Sequence, residues 1–114
     1  MSKINEWQKE REKLNSTILA KEHLGIKRFF RLDTAAYEDG ALDAKTKEML
    51  GLACSTVLRC DDCITYHIIQ GAELGISTDE FMEIMNVALV VGGSITIPHI
   101  RRAVERWDEI QKDK

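Results

Sequence analysis

Most of the seven glycines of this 114-residue chain fall between apolar-periodic segments, a punctuation that suits helices joined by short turns. Pro98 is the only proline. Within the segments, apolar residues recur at steps of three and four, the repeat that brings side chains onto one face of a 3.6-residue helix. No segment alternates convincingly as a half-buried strand does. The expected fold is therefore all-α, with about six helices. The first runs roughly from Lys3 to His23, and its stripe of Ile4, Trp7, Leu14, Ile18 and Leu19 requires a packing partner. A second, from Ile26 to Tyr37, stops at Glu38-Asp39-Gly40, after which Asp43 can cap a third that carries Glu48, Met49, Leu52 and Val57. Cys60 to Leu74 makes the fourth, closed by Gly75, and Ser77 with Glu80 forms a capping box that opens a fifth, apolar through Val91. Gly92-Gly93 breaks the pattern before a last helix that begins near Ile95 or Pro98 and aligns Ile100, Val104, Trp107 and Ile110 on one face.

A chain of this length makes one domain, here residues 1–114, large enough to bury a core. Its 16 basic and 19 acidic residues are interspersed, and a net charge of -3 offers no basic stripe for tracking phosphates, so nucleic acid is not an expected partner. The longest apolar run, Val87 to Val91, is far too short to span a bilayer, and charge occupies the N-terminal region where a signal peptide needs its apolar stretch. The expectation is a cytoplasmic protein without a membrane partner. In that reducing setting a close cysteine pair is more often catalytic or metal-binding than a structural staple.

Cys60, Cys63 and His67 stand at i, i+3 and i+7, so a helix projects all three from the same face. A Cys-x-x-Cys pair at a helix start can close and open a disulfide with little backbone movement. There the unpaired N–H groups and the macrodipole favour the reactive thiolate. His67, four residues beyond Cys63, is placed to take that thiol's proton or to give one to a leaving oxygen. Cys63 is then the candidate nucleophile and Cys60 the resolving thiol. Asp61 and Asp62 act in two opposed directions, stabilising the first helical turn while placing negative charge beside a thiolate.

Two other readings of the same residues stay open. The pair and His67 could be three zinc ligands, with His99 or a second chain supplying the fourth. Alternatively, the cysteines could be small buried apolar side chains beside a satisfied histidine. Outside the motif, Cys54 is expected to fill the core, Tyr66 to pack with its hydroxyl wet, and His99 to lie at the surface or a helix cap, or else behind the site or at an interface. The stretch from Phe81 to Val91 is apolar on more faces than one small core requires, which suggests a subunit interface.

Glu48, then Cys60-Asp61-Asp62-Cys63, then His67 resemble the alkylhydroperoxidase D-like, CxxC-containing branch of the carboxymuconolactone decarboxylase family. The resemblance extends over about residues 43–103. It implies that Cys63 is the peroxidatic thiol, that Cys60 resolves it, and that Glu48 and His67 form a proton relay. A peroxidase-like thiol-disulfide oxidoreductase follows, an antioxidant enzyme acting on hydroperoxides or disulfides. An external thiol would reduce it, with no cofactor and no metal, and the chain would assemble as a hexamer or a trimer. The family's other chemistry, decarboxylation of a lactone acid, would use His67 or His99 without a redox step. This chain departs from the peroxidase pattern at Asp62, where characterised members carry a histidine, so that part of their relay is missing.

Overall fold

A computed structural model describes residues 2–113 and bears out the all-helical expectation: six α-helices and one 3-10 turn, with no strand among the described residues. Two compact units divide the chain after Glu38. The first contains α1 (Lys3–Ala20) and α2 (Leu24–Ala36). Helix α1 ends at Ala20, three residues short of the expected His23, because Glu22 adopts a left-handed conformation (φ 56°) and His23 turns to cap α2, its Nδ1 accepting from the Ile26 N–H. Of the stripe, Ile4 is buried whereas Leu14 and Ile18 stay exposed. Helix α2 carries an apolar face of Leu24, Ile26, Phe29 and Leu32 that is likewise open to solvent.

The second unit contains α3 (Ala44–Val57), α4 (Asp61–Glu73), α5 (Thr78–Gly92), a 3-10 turn (Ser94–Thr96) and α6 (Ile97–Lys112). Its core joins Leu52 of α3, Ile64, Ile68 and Ala72 of α4, Phe81, Ile84 and Met85 of α5, and Ala103 and Trp107 of α6. Phe81 and Trp107 stack with ring centroids 4.5 Å apart, and the indole N–H donates to Thr78 Oγ1 at 3.0 Å, so the one polar atom of a buried ring is satisfied. Ile100, Val104 and Ile110 pack against this cluster, in line with the face expected for the last helix.

Local rules set the boundaries of the site-bearing helices. Asp43 caps α3 by accepting from the Thr46 N–H at 2.8 Å, and Ser77 and Glu80 close the capping box of α5. Helix α4 ends in a Schellman turn: Gly75 takes φ +89°, its N–H reaches the Ala72 carbonyl, and the Ile76 N–H reaches that of Gly71. The end of α3 repeats this motif without glycine. Arg59 takes φ 60°, its N–H donates to the Thr56 carbonyl, and the Cys60 N–H donates to that of Ser55. Cys60 is thus locked as the last residue of one helix stop and the cap of the next helix.

Cys54 does not fill the core; it is an exposed free thiol. The buried face of α3 is set by Glu48, Leu52, Ser55 and Thr56, and two residues after Leu52 is about 200° around the helix, the solvent side. Helix α6 begins at Ile97 with Pro98 in its first turn, preceded by the 3-10 turn that follows Gly93 (φ +83°). No helix among the described residues is long and apolar enough to cross a membrane.

Candidate active site

The Cys-x-x-Cys pair opens α4. Cys60 is the N-cap, with its Sγ accepting from the Cys63 N–H at 3.2 Å, and Cys63 lies in the first turn. Their Cα atoms are 5.3 Å apart and the two are joined in a disulfide. This is the spacing disulfides ordinarily have, and it costs no break in the helix. Cys63 is exposed and Cys60 half-buried, so a reagent from solvent meets Cys63 first.

His67 stands one turn further along α4, on the same side as Cys63, and Glu48 faces it from the second turn of α3. Both are almost fully buried, at 7% and 4% exposure. His67 Nδ1 and Glu48 Oε2 are 2.6 Å apart, a short bond between an imidazole and a carboxylate. A carboxylate accepts only, so Nδ1 carries the proton and donates. That fixes the ring's tautomer and orientation and leaves Nε2 as the nitrogen for proton exchange. The Tyr66 ring meets the His67 ring edge to face, with centroids 5.4 Å apart. Burial of this pair at the seam of α3 and α4 is tolerable because each charge or dipole has a partner.

The start of α4 also carries a polar cluster of Asp61, His99 and Arg102; sequence raised Asp61 as a charge beside the thiolate and His99 as a group behind the site, but not their pairing. Asp61, immediately after Cys60, turns its carboxylate toward α6, where His99 Nδ1 donates to Oδ1 at 2.7 Å and Arg102 Nε donates to Oδ2 at 2.8 Å. The Arg102 guanidinium also lies 3.2 Å from His99 Nδ1. Partial burial of Asp61 works to raise its pKa, but the hydrogen bonds from His99 and Arg102 outweigh it and hold the carboxyl below its ordinary value. The three-residue spacing of His99 and Arg102 on one helix is the sequence signal for this arrangement, yet nothing in it names Asp61 as the target.

The structure thus brings Glu48 to His67 and Cys60 to Cys63, while His99 answers Asp61. His99, the internal fourth ligand in the zinc reading, is engaged elsewhere, and among the described residues no three His, Cys, Asp or Glu side chains converge as a metal site requires.

The model of the carboxymuconolactone decarboxylase family matches residues 26–106. Among solved structures, the chain is similar to TM1620 from Thermotoga maritima, with 50% identity, a TM-score of 0.92 and 94% of each chain covered. It is also similar to apo-lpg0406, a member of that family from Legionella pneumophila, with 27% identity and a TM-score of 0.86 over 96% of this chain and 97% of that one. Among curated sequences, uncharacterized protein 4 in the cox locus of Paracoccus denitrificans is 30% identical over 82 residues, 72% of this chain and 74% of the relative. With this match, and with the Cys60–Cys63 pair capping the helix that carries His67, the chain belongs to the carboxymuconolactone decarboxylase family.

Proposed function

We propose that this protein is a thiol-disulfide oxidoreductase that reduces hydroperoxides or small disulfides through Cys63 and Cys60, with His67 and Glu48 as its proton relay. The observation that carries this reading is an exposed Cys63 already paired with Cys60, one helical turn from a histidine oriented by a buried carboxylate. The TM1620 structure is described as that of a candidate for involvement in antioxidative response, which agrees with this chemistry.

In the peroxide reaction the Cys63 thiolate attacks the distal oxygen of ROOH. The O–O bond breaks, the alkoxide leaves as ROH with a proton from His67, and Cys63 becomes a sulfenic acid. Cys60 sulfur then attacks Cys63 sulfur, water leaves, and the disulfide closes. Two equivalents of an external thiol return two electrons and two protons, so the sum is ROOH + 2 RSH → ROH + H2O + RSSR. Glu48 keeps the imidazole aligned and offsets the positive charge it gains when protonated. A disulfide substrate would enter by the same attack: its S–S bond breaks, one thiol leaves with a proton and a mixed disulfide forms on Cys63, and Cys60 then releases the second thiol as the Cys60–Cys63 bond closes.

A homo-oligomer, hexamer or trimer, is part of the proposal. Val87, Val90 and Val91 of α5 are exposed, and an apolar groove of about 450 Å³ between α3 and α5 is lined by Met49, Leu50, Ala53, Ile84 and Val87. Contiguous apolar surface of this kind is usually covered.

The test is a panel of hydrogen peroxide, alkyl hydroperoxides and small disulfides, each with dithiothreitol as reductant, on wild type and Cys63→Ser. The expected result is turnover of at least one class in wild type and none in the variant, with a Cys60–Cys63 bond found by mass spectrometry after peroxide. Peroxide loss with both cysteines still reduced would overturn the reading.

A further inference from the structure

Asp61 poses an electrostatic problem for a reactive thiol. It follows Cys60 directly and shares the first turn of α4 with Cys63, so its negative charge lies close to whichever sulfur becomes a thiolate. Uncompensated, that charge would disfavour the thiolate and so disfavour the reduced pair. The structure sets two donors on it: His99 at 2.7 Å on one oxygen and Arg102 at 2.8 Å on the other, both from α6.

Resting on the redox reading above, we propose that Arg102 and His99 act as positioning residues that turn the Asp61 carboxylate toward α6 and balance its charge, thereby setting the reduction potential of the Cys60–Cys63 couple. The couple takes two electrons per disulfide. With glutathione, the disulfide and two GSH give the dithiol and one GSSG, so any group that stabilises the thiolate form raises the potential. Arg102 is charged at every working pH, and its guanidinium can hold one carboxylate oxygen while staying near His99. The arrangement ties the start of α4 to α6 through charge-assisted hydrogen bonds, which are stronger than neutral ones. The nearest other charged residues in sequence, Asp62 and Arg59, are of opposite sign and both exposed.

Changing the two partners separately therefore moves the couple in opposite directions. In Arg102→Met the Asp61 charge loses its permanent counter-ion, and the equilibrium constant for reduction by glutathione falls about fivefold to tenfold, or about 20–30 mV toward negative potential. In Asp61→Asn the carboxylate charge is gone while Arg102 remains, and the constant rises by a similar factor. The double variant returns toward wild type, and Arg102→Lys stays within about threefold of it. Loosening of the helix start would shift both single variants the same way, so opposite signs separate charge balance from simple damage.

The experiment is equilibration of the full-length protein and these four variants in glutathione redox buffers at pH 7, with the Cys60–Cys63 state read by alkylation and mass spectrometry. Single-variant shifts of opposite sign that cancel in the double variant support the proposal. Potentials that do not move, or that move in one direction in both single variants, overturn it. A wild-type disulfide that never equilibrates with glutathione would overturn the redox reading itself, which is a different result.

Discussion

The Glu48–His67 pair allows a prediction in which stability and chemistry come apart. Glu48→Leu removes the carboxylate that accepts from the buried His67 imidazole and leaves the Nδ1 donor facing an apolar group. Removing the acceptor of a buried hydrogen bond leaves its donor desolvated and unsatisfied, a cost of about 1–3 kcal/mol. Glu48→Gln keeps nearly the same volume, and its amide oxygen can still accept from Nδ1 at the position 2.6 Å away. Its stability cost should be about 1 kcal/mol, the difference between a charged and a neutral acceptor. The chemical cost should be much larger: Gln cannot offset the charge of an imidazolium, and loss of a positioned acid–base group is typically worth 10²–10⁴ in rate. We expect dithiothreitol-supported turnover to fall about 10²-fold in Glu48→Gln, equivalent to about 2.7 kcal/mol of activation free energy. Urea unfolding gives the stability change, and steady-state rates on whichever substrate the wild type turns over give the other. A double-mutant cycle with His67→Phe should show a coupling of at least about 1 kcal/mol in turnover, since residues that act through one another are not additive. Turnover of Glu48→Gln within about twofold of wild type, or additive losses in the cycle, would show that the pair only fills the seam between α3 and α4.

Arg59 holds a left-handed backbone that costs a non-glycine residue about 1–2 kcal/mol, so Arg59→Gly should stabilise the protein by about 0.5–1 kcal/mol after the added entropy of glycine in the unfolded chain. A lower urea midpoint for that variant would refute the account of the helix junction. Asp61 has a depressed carboxyl pKa in the folded state, so its contribution to stability is complete above the unfolded value near 3.9 and is lost as pH falls through the folded one. The stability gap between wild type and Asp61→Asn should therefore be constant above about pH 5 and close on acidification, measured by urea midpoints from pH 7 to pH 3. Val90, at 78% exposure on α5, should matter to assembly: light scattering of Val90→Asp is expected to show a smaller particle than wild type, and a monomeric wild type at high concentration would refute the oligomer.

Much of the local structure was legible because it depends on short-range rules. The cap at Asp43, the capping box of Ser77 and Glu80, and the stop at Gly75 each involve groups three to five residues apart, and side-chain chemistry alone identifies them. The same holds for the Cys60, Cys63 and His67 spacing, which is a property of one helix. The early end of α1 at Ala20 was not legible, since the left-handed turns at Glu22 and Arg59 use residues that carry no such preference. Cys54 was misplaced because composition ranks cysteine among buried residues, whereas the face a residue shows depends on which neighbours set the helix's inner side.

Sequence by itself determined an all-helical chain, the position of the cysteine pair at a helix start, and a histidine one turn beyond it, all consequences of the 3.6-residue repeat and of capping chemistry. Tertiary structure decided what faces those groups. Only the packing of α3 against α4 puts Glu48 on His67 across 19 residues, and only the packing of α6 against α4 sends His99 and Arg102 to Asp61 across 38 and 41 residues. The reason is physical: periodicity specifies the face a side chain occupies on its own helix, but the partner across the seam depends on how two helices cross, which no single helix encodes.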